Sequence, residues 1–288
     1  MAAGPGRPSG QALRIVHLSD PHFGTVVPAV EEALLATIQS LAPSLIIISG
    51  DITQRARRAQ FAAAGRFVAA LAPLPVLAIP GNHDIPLYNV LGRLMRPYSG
   101  FQRTFGPELE PAYEQDGVQV LGFVSAPRWR HKHGDIRPER VTARLRQFES
   151  PTALLRVAVF HHPFDYVEEQ DRRNLIRRHE ELARRLAAAR VDLVLGGHIH
   201  DALARTTEHR YPGLERPFVI AQAGTALSWR IRYRTPNTFN LLTLQAAAGE
   251  MVVERWDCEP TDERHQFRCV TRDRFGRADD GWTLHFGR

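Results

Sequence analysis

The chain has 288 residues, a net charge of +6, 43% hydrophobic and 24% charged residues, and two cysteines. That length buries a core without disulfide staples, and the composition is that of an ordinary globular protein. The positive charge comes from arginines scattered along helix-like segments with acids nearby, which argues for solvated helix faces over a one-sided nucleic-acid footprint. No apolar run reaches the length of a membrane span, and the opening Met1-Ala2-Ala3-Gly4-Pro5-Gly6-Arg7-Pro8-Ser9-Gly10 lacks the apolar core of a secretory leader. Residues 1–11 therefore read as a loose tail and 12–288 as one domain, expected in the cytoplasm. Cys258 and Cys269 are near enough in sequence for a disulfide, although nothing forces one.

From the start, apolar runs alternate with helical periodicity. Leu13–Leu18 and Leu45–Ile48 read as buried strands around a helix at Ala29–Leu41, whose Val30, Leu34, Ile38 and Leu41 share a face. A helix over Gln54–Leu71 and a strand at Val76–Ile79 follow, which makes βαβ units and a mostly parallel core. Residues 86–111 carry Tyr88, Leu91, Leu94, Met95, Tyr98, Phe101 and Phe105 among prolines and glycines. They are either a cap over a site or a helix and loop tucking these side chains under the sheet, and the second reading is preferred.

Val118–Ser125 reads as a strand leading into the basic loop Arg128-Trp129-Arg130-His131-Lys132-His133, where Arg128, Arg130 and Lys132 are candidate contacts to an anionic substrate. A helix at Arg137–Phe148, a strand at Leu154–Phe160, one amphipathic helix over Asp171–Ala189 and a strand at Val191–Leu195 complete a second half. Beyond His200 the short alternating stretches at 202–208, 218–221, 239–244, 251–256 and 267–271 suit antiparallel strands. The expected fold is α/β: a four-layer αββα sandwich of two mixed β-sheets with flanking helices, in which 201–288 adds mainly antiparallel strands.

Five apolar runs end in clusters of chemically active side chains. They are Asp20-Pro21-His22, Gly50-Asp51, Gly81-Asn82-His83-Asp84, His161-His162 and Gly197-His198-Ile199-His200. Strand ends in α/β sheets are where sites are built. Asp20, His22, Asp51, Asn82, His161, His198 and His200 supply more ligands than one zinc ion accepts, so two metals fit better. Asp51 is the natural bridge, because a carboxylate can offer one oxygen to each ion. Mixed His, Asp and Asn ligation suits divalent or trivalent manganese and iron, and zinc as well. Such a pair clamps a phosphate and activates a water, so the reaction class is phosphoester hydrolysis.

These clusters, in this order from Asp20 to His200, resemble the calcineurin-like metallophosphoesterase family. The resemblance implies that Asp20, His22, Asp51 and His200 hold one metal and that Asp51, Asn82, His161 and His198 hold the other. It implies that His83 is no ligand but donates to the phosphate or the leaving oxygen, with Asp84 orienting it, and that His162 supports from behind. The Leu18–Phe23 opening, His161-His162-Pro163, Gly224-Thr225 and Ser228-Trp229-Arg230 look like the cyclic-nucleotide phosphodiesterase branch. A small diester such as a cyclic nucleotide is the expected substrate; phospholipid, nucleotide and nucleic-acid esters are the alternatives, with nucleic acid not favoured. A noncatalytic scaffold would have lost ligands, and none is missing here. A homodimer is compatible with the aromatic 86–111 segment.

Overall fold

The computed structural model describes residues 12–148, 154–232, 235–261 and 264–285. In chain order the elements of the first half are β1 (Leu13–Leu18), α1 (Pro28–Leu41), β2 (Leu45–Ile48), α2 (Arg58–Ala70), β3 (Val76–Ala78), α3 (Val90–Met95), α4 (Ser99–Phe105), β4 (Ala112–Gln115) and β5 (Val118–Gly122). The second half contains α5 (Pro138–Leu145), β6 (Leu155–Val159), α6 (His179–Ala188), β7 (Leu193–Gly196), β8 (Leu203–Thr206) and β9 (Val219–Gln222). It closes with β10 (Thr238–Gln245), β11 (Glu250–Pro260), β12 (His265–Ala278) and β13 (Gly281–His285).

These strands form two mixed sheets, ordered β13-β12-β11-β10-β1-β2-β3 and β4-β5-β6-β7-β9-β8. β1, β2 and β3 run parallel, as do β5, β6, β7 and β9. Such strands are apolar on both faces because both faces are covered. Ile15 and Ile47 join Val157 and Leu195 in a core between the sheets, whereas Val16 and Ile46 face α1 and α2. A third core packs α5 and α6 on the outer face of the second sheet. The result is the expected αββα sandwich.

Several expected elements differ. The helix foreseen over Asp171–Ala189 is a 3₁₀ stretch at Glu169–Asn174 followed by α6. Between them the Ile176 and Arg177 amides donate to the carbonyls of Pro163 and Gly134, and Arg178 takes φ 57°, so tertiary bonds replace the helical ladder. The 218–221 strand, read as antiparallel, is β9, which runs parallel to β7 and antiparallel to β8.

In 86–111 only part of the tucked arrangement forms. Phe101 is buried and stacks on Phe105 beside α2, but Tyr88, Leu91, Leu94 and Met95 are exposed. Cys258 and Cys269 are free: Cys258 is buried opposite Phe267, and Cys269 is exposed opposite Trp256.

Candidate metal centre

The five clusters leave the carboxyl ends of β1, β2, β3, β6 and β7, and the facing sheets bring them together. Asp20, His22, Asp51, Asn82, His161, His198 and His200 are all buried there. Five of them, Asp20, His22, Asp51, His198 and His200, take positive φ between 48° and 73°. Non-glycine residues adopt that conformation at about 1–3 kcal/mol each, and such strain clusters where function requires it. Gly81 is needed for a different reason: a Cβ there would run into the Asp51 backbone and carboxylate.

The hydrogen-bond pattern fixes which histidine nitrogens face inward. Nδ1 of His161 lies 2.8 Å from the Ser49 carbonyl, and Nδ1 of His200 lies 2.9 Å from that of Arg230. A carbonyl only accepts, so each Nδ1 carries a proton and each Nε2 is the nitrogen turned to the centre, where a metal can take the place of a second proton. Those nitrogens face oxygen: His161 Nε2 is 3.3 Å from Asp51 Oδ1 and 3.2 Å from Asn82 Oδ1, and His200 Nε2 is 3.2 Å from Asp20 Oδ1. His22 Nε2 sits 3.1 Å from His200 Nε2. Ring nitrogens and carboxylate oxygens that converge in this way can take up a cation between them.

Buried polar atoms without partners say the same. Both ring nitrogens of His198, Asp20 Oδ1 and His22 Nδ1 have no hydrogen bond among the described residues. The donors form overlapping groups, each within 4.8 Å: Asp20, His22 and His200; Asp20, Asp51 and His161; His22, Asp51 and His83; His161, His162 and His198. The donor set therefore fits metal ions. His162 is the poorest donor of the last group, because its Nδ1 faces the Ser125 hydroxyl at 2.9 Å and its Nε2 faces the Lys132 carbonyl at 3.1 Å.

The electrostatics favour ionised carboxylates beside rings that are neutral at His22, His162 and His198 and charged at His161. Burial presses His22 and His162 down to about 3 and His198 well below its ordinary value, which leaves the imidazoles in the form that binds metal. Burial also presses on His161, but the Asp51 carboxylate outweighs it and raises this ring to about 9. For Asp51, burial works upward and is outweighed by His161 and His83, so the carboxylate stays well below its ordinary range.

His83 lies at the mouth of the centre. Its backbone amide donates to Asp51 Oδ1 at 2.8 Å, its Nδ1 donates to the Gln54 carbonyl at 2.9 Å, and its Nε2 is 3.9 Å from Asp51 Oδ2. The ring is thus oriented by Gln54, not by Asp84. Asp84 instead accepts from the amides of Ile52, Thr53 and Gly81 and from the Thr53 hydroxyl, tying the loop after β2 to the loop after β3.

A pocket of about 540 Å³ opens over Asp51, Asn82, His83, His198 and His200. Of the three predicted substrate contacts, Lys132 lines it. Arg128 is drawn away to the Leu94 carbonyl at 2.7 Å, and Arg130 pairs with Asp135 at 3.4 Å.

The rim also carries Arg55, Arg230 and Arg232, with Trp229 beside them at 64% exposure; Arg230 donates to Gln54 Oε1 at 2.8 Å and Arg232 pairs with Asp171 at 3.2 Å. Burial and then the charge of Arg55 lower the Arg230 pKa, a state that an anion in the pocket would relieve. Ser228-Trp229-Arg230 was visible as a motif, but no spacing signal ties Arg55 or Arg232 to the strand ends.

The calcineurin-like phosphoesterase family matches the chain over residues 13–202. No curated protein matches its sequence. Among solved structures, PhoD superposes with a TM-score of 0.66 at 11% identity, covering 100% of this chain and 73% of that one. A purple acid phosphatase from yellow lupin (Lupinus luteus) seeds gives 0.63 at 14% identity over 86% of this chain and 52% of its own, so this chain spans about half its length. A dimetal phosphatase from Danio rerio gives 0.52 at 12% identity, over 90% and 98%. At such identities these structures share the fold. The family match spans well over half the sequence and takes in all five clusters, so the chain belongs to the calcineurin-like phosphoesterase family.

Proposed function

We propose that the chain is a dinuclear metal-dependent phosphodiesterase acting on a small diester such as a cyclic nucleotide. One observation carries the reading: the two Asp51 oxygens face different halves of the centre, Oδ1 toward His161 at 3.3 Å and Oδ2 toward His22 at 3.9 Å. A single carboxylate so arranged suits a bridge. Asp20, His22 and His200 would complete one metal's ligands, and Asn82, His161 and His198 the other's. Manganese and iron suit this donor set, with zinc also admitted. When bound, the pair supplies Lewis-acid charge to the phosphoryl oxygens and lowers the pKa of a water.

The protein's own groups do the rest. With Nδ1 committed to the Gln54 carbonyl, His83 acts through Nε2 in its imidazolium form, donating toward the phosphoryl or leaving oxygen, and Asp84 keeps the His83 loop in register with Asp51. Arg55, Lys132, Arg230 and Arg232 hold the anion, and Trp229 offers a flat face on which a base can stack. Residues 12–288 are read as one domain, supported by β10–β13 completing the sheet of β1. The two free cysteines favour a reducing compartment such as the cytoplasm.

The testing experiment strips the protein of metal, restores manganese and compares hydrolysis of bis-p-nitrophenyl phosphate with that of p-nitrophenyl phosphate. Faster, manganese-dependent diester cleavage is expected. Monoester preference would overturn the diester assignment, and a rate indifferent to metal would overturn the dinuclear one. With cyclic nucleotide as substrate, joint replacement of Arg55, Arg230 and Arg232 by glutamine should raise KM by roughly tenfold or more, since charged hydrogen bonds contribute about 1.5–3 kcal/mol each. The Arg128→Gln/Arg130→Gln pair should leave KM alone, and the opposite ranking would return the substrate contacts to the basic loop.

A further inference from the structure

α3 is built inside out. Leu91, Leu94 and Met95, at the spacing of one helical face, are exposed, with Tyr88 at 79%, Leu91 at 71% and Met95 at 72%. Its arginine points the other way: Arg93 is half-buried and donates to the carbonyls of Pro86 and Arg130, the second at 2.7 Å. Arg128 answers from the neighbouring loop by donating to the Leu94 carbonyl at 2.7 Å. These reciprocal bonds lock α3 to the loop that carries Trp129, itself 71% exposed. An apolar face on a short surface helix is ordinarily turned inward. Here two segments are stapled together in a way that holds it outward.

The charge around this platform is one-sided. Residues 86–107 and 117–134 contain no aspartate or glutamate, but they do contain Arg93, Arg96, Arg103, Arg128, Arg130 and Lys132. Arg130 is paired with Asp135, whereas Arg96 and Arg103 are exposed with no ion pair among the described residues. Leucine, methionine and valine flanked by tyrosine, tryptophan and arginine is the composition of a surface that lies in a membrane interface. A protein partner would be selected by shaped polar contacts of both signs, whereas these two segments contribute only basic charge. No described helix is long and apolar enough to cross a membrane, so the contact would be peripheral.

We infer that the face formed by α3 and the 127–133 loop docks on an anionic lipid bilayer. Exposed apolar side chains enter the acyl boundary, and Arg96, Arg103 and Arg128 meet the phosphate headgroups. His131 and Lys132 of the same loop line the metal-centre pocket, so docking brings that pocket to the bilayer surface. The inference is independent of which ester is cleaved, because it concerns a surface outside the pocket.

The test is co-sedimentation of the 288-residue chain with unilamellar vesicles, comparing equal parts phosphatidylcholine and phosphatidylglycerol with phosphatidylcholine alone. Binding to the mixed vesicles is expected. It should weaken by roughly tenfold or more in L91S/L94S/M95S and fall with added salt. Because these side chains are exposed, the variant should keep its melting temperature and its rate on a soluble diester. Failure of the parent chain to bind mixed vesicles, or equal binding by the triple variant, would overturn the inference. So would sedimentation of the parent chain as a dimer that the triple variant dissociates, without vesicle binding, since the face would then serve self-association.

Discussion

Asp51→Ala is expected to leave the protein folded but unable to retain either metal, with turnover of the diester reduced to background. Asp51 is the one side chain whose two oxygens look toward both donor sets, so its loss removes a ligand from each ion at once. In the proposed arrangement every other ligand serves a single ion, and its removal should deplete one metal more than the other. The contrast is readable by metal analysis after gel filtration: the parent chain near two equivalents, His198→Ala nearer one, Asp51→Ala near none.

Thermal unfolding provides a second readout. Ligand binding stabilises a folded chain by about 2.7 kcal/mol at a hundredfold excess over Kd, so manganese should raise the parent's Tm and leave that of Asp51→Ala unmoved. In chelator, Asp51→Ala loses the acceptor for the His83 amide but relieves a crowd of buried ionisable groups. Its Tm there should stay close to the parent's. Asp51→Asn separates shape from charge, since it can still accept that amide while lacking the charge that draws in cations. Two metals retained by Asp51→Ala at parental activity would refute the bridging arrangement.

The candidate donors were legible because each lies within a few residues of the end of a buried apolar run, and parallel strands buried on both faces are among the plainest sequence patterns. Ile46 and Ile48 in β2, or Val157 and Val159 in β6, announce a strand whose carboxyl end must emerge near its neighbours'. What remained hidden depends on how loops fold over those ends. Arg55 looks like the solvated start of a helix, yet Ala56 takes φ 51° and the Gln60 side chain accepts the amides of Arg55 and Arg57, delaying α2 to Arg58 and leaving Arg55 on the rim.

Arg128 and Arg130 show the reverse. Their charge and sequence position suggested substrate contact, but the Leu94 carbonyl, 34 residues back, takes up Arg128, and Asp135, in the same loop, pairs with Arg130. Asp84 is the same lesson at a single residue. Adjacency to His83 suggested a catalytic pair, while the fold uses its carboxylate to gather four donors from two loops.

His83→Gln tests the remaining chemical role, and the expected result is a protein with full metal content whose kcat falls by about 10²–10³-fold while KM changes little. General acid catalysis contributes about 10²–10⁴-fold, which at 1.36 kcal/mol per factor of ten corresponds to about 2.7–5.4 kcal/mol of barrier. The choice of leaving group divides the two ways in which the Nε2 proton can serve. p-Nitrophenolate departs without a proton, whereas a nucleoside alkoxide does not. If His83 protonates the leaving oxygen, His83→Gln should be far more damaging on a nucleoside diester than on bis-p-nitrophenyl phosphate. If it instead steadies a phosphoryl oxygen, the two substrates should suffer alike. The Gln54 carbonyl that holds Nδ1 and the Asp51 carboxylate 3.9 Å from Nε2 keep the ring aimed into the pocket in either case. Glutamine retains a donor but not a titratable one, so an unchanged rate on both substrates would show that the ring transfers no proton and would leave His83 only a hydrogen bond that glutamine can supply.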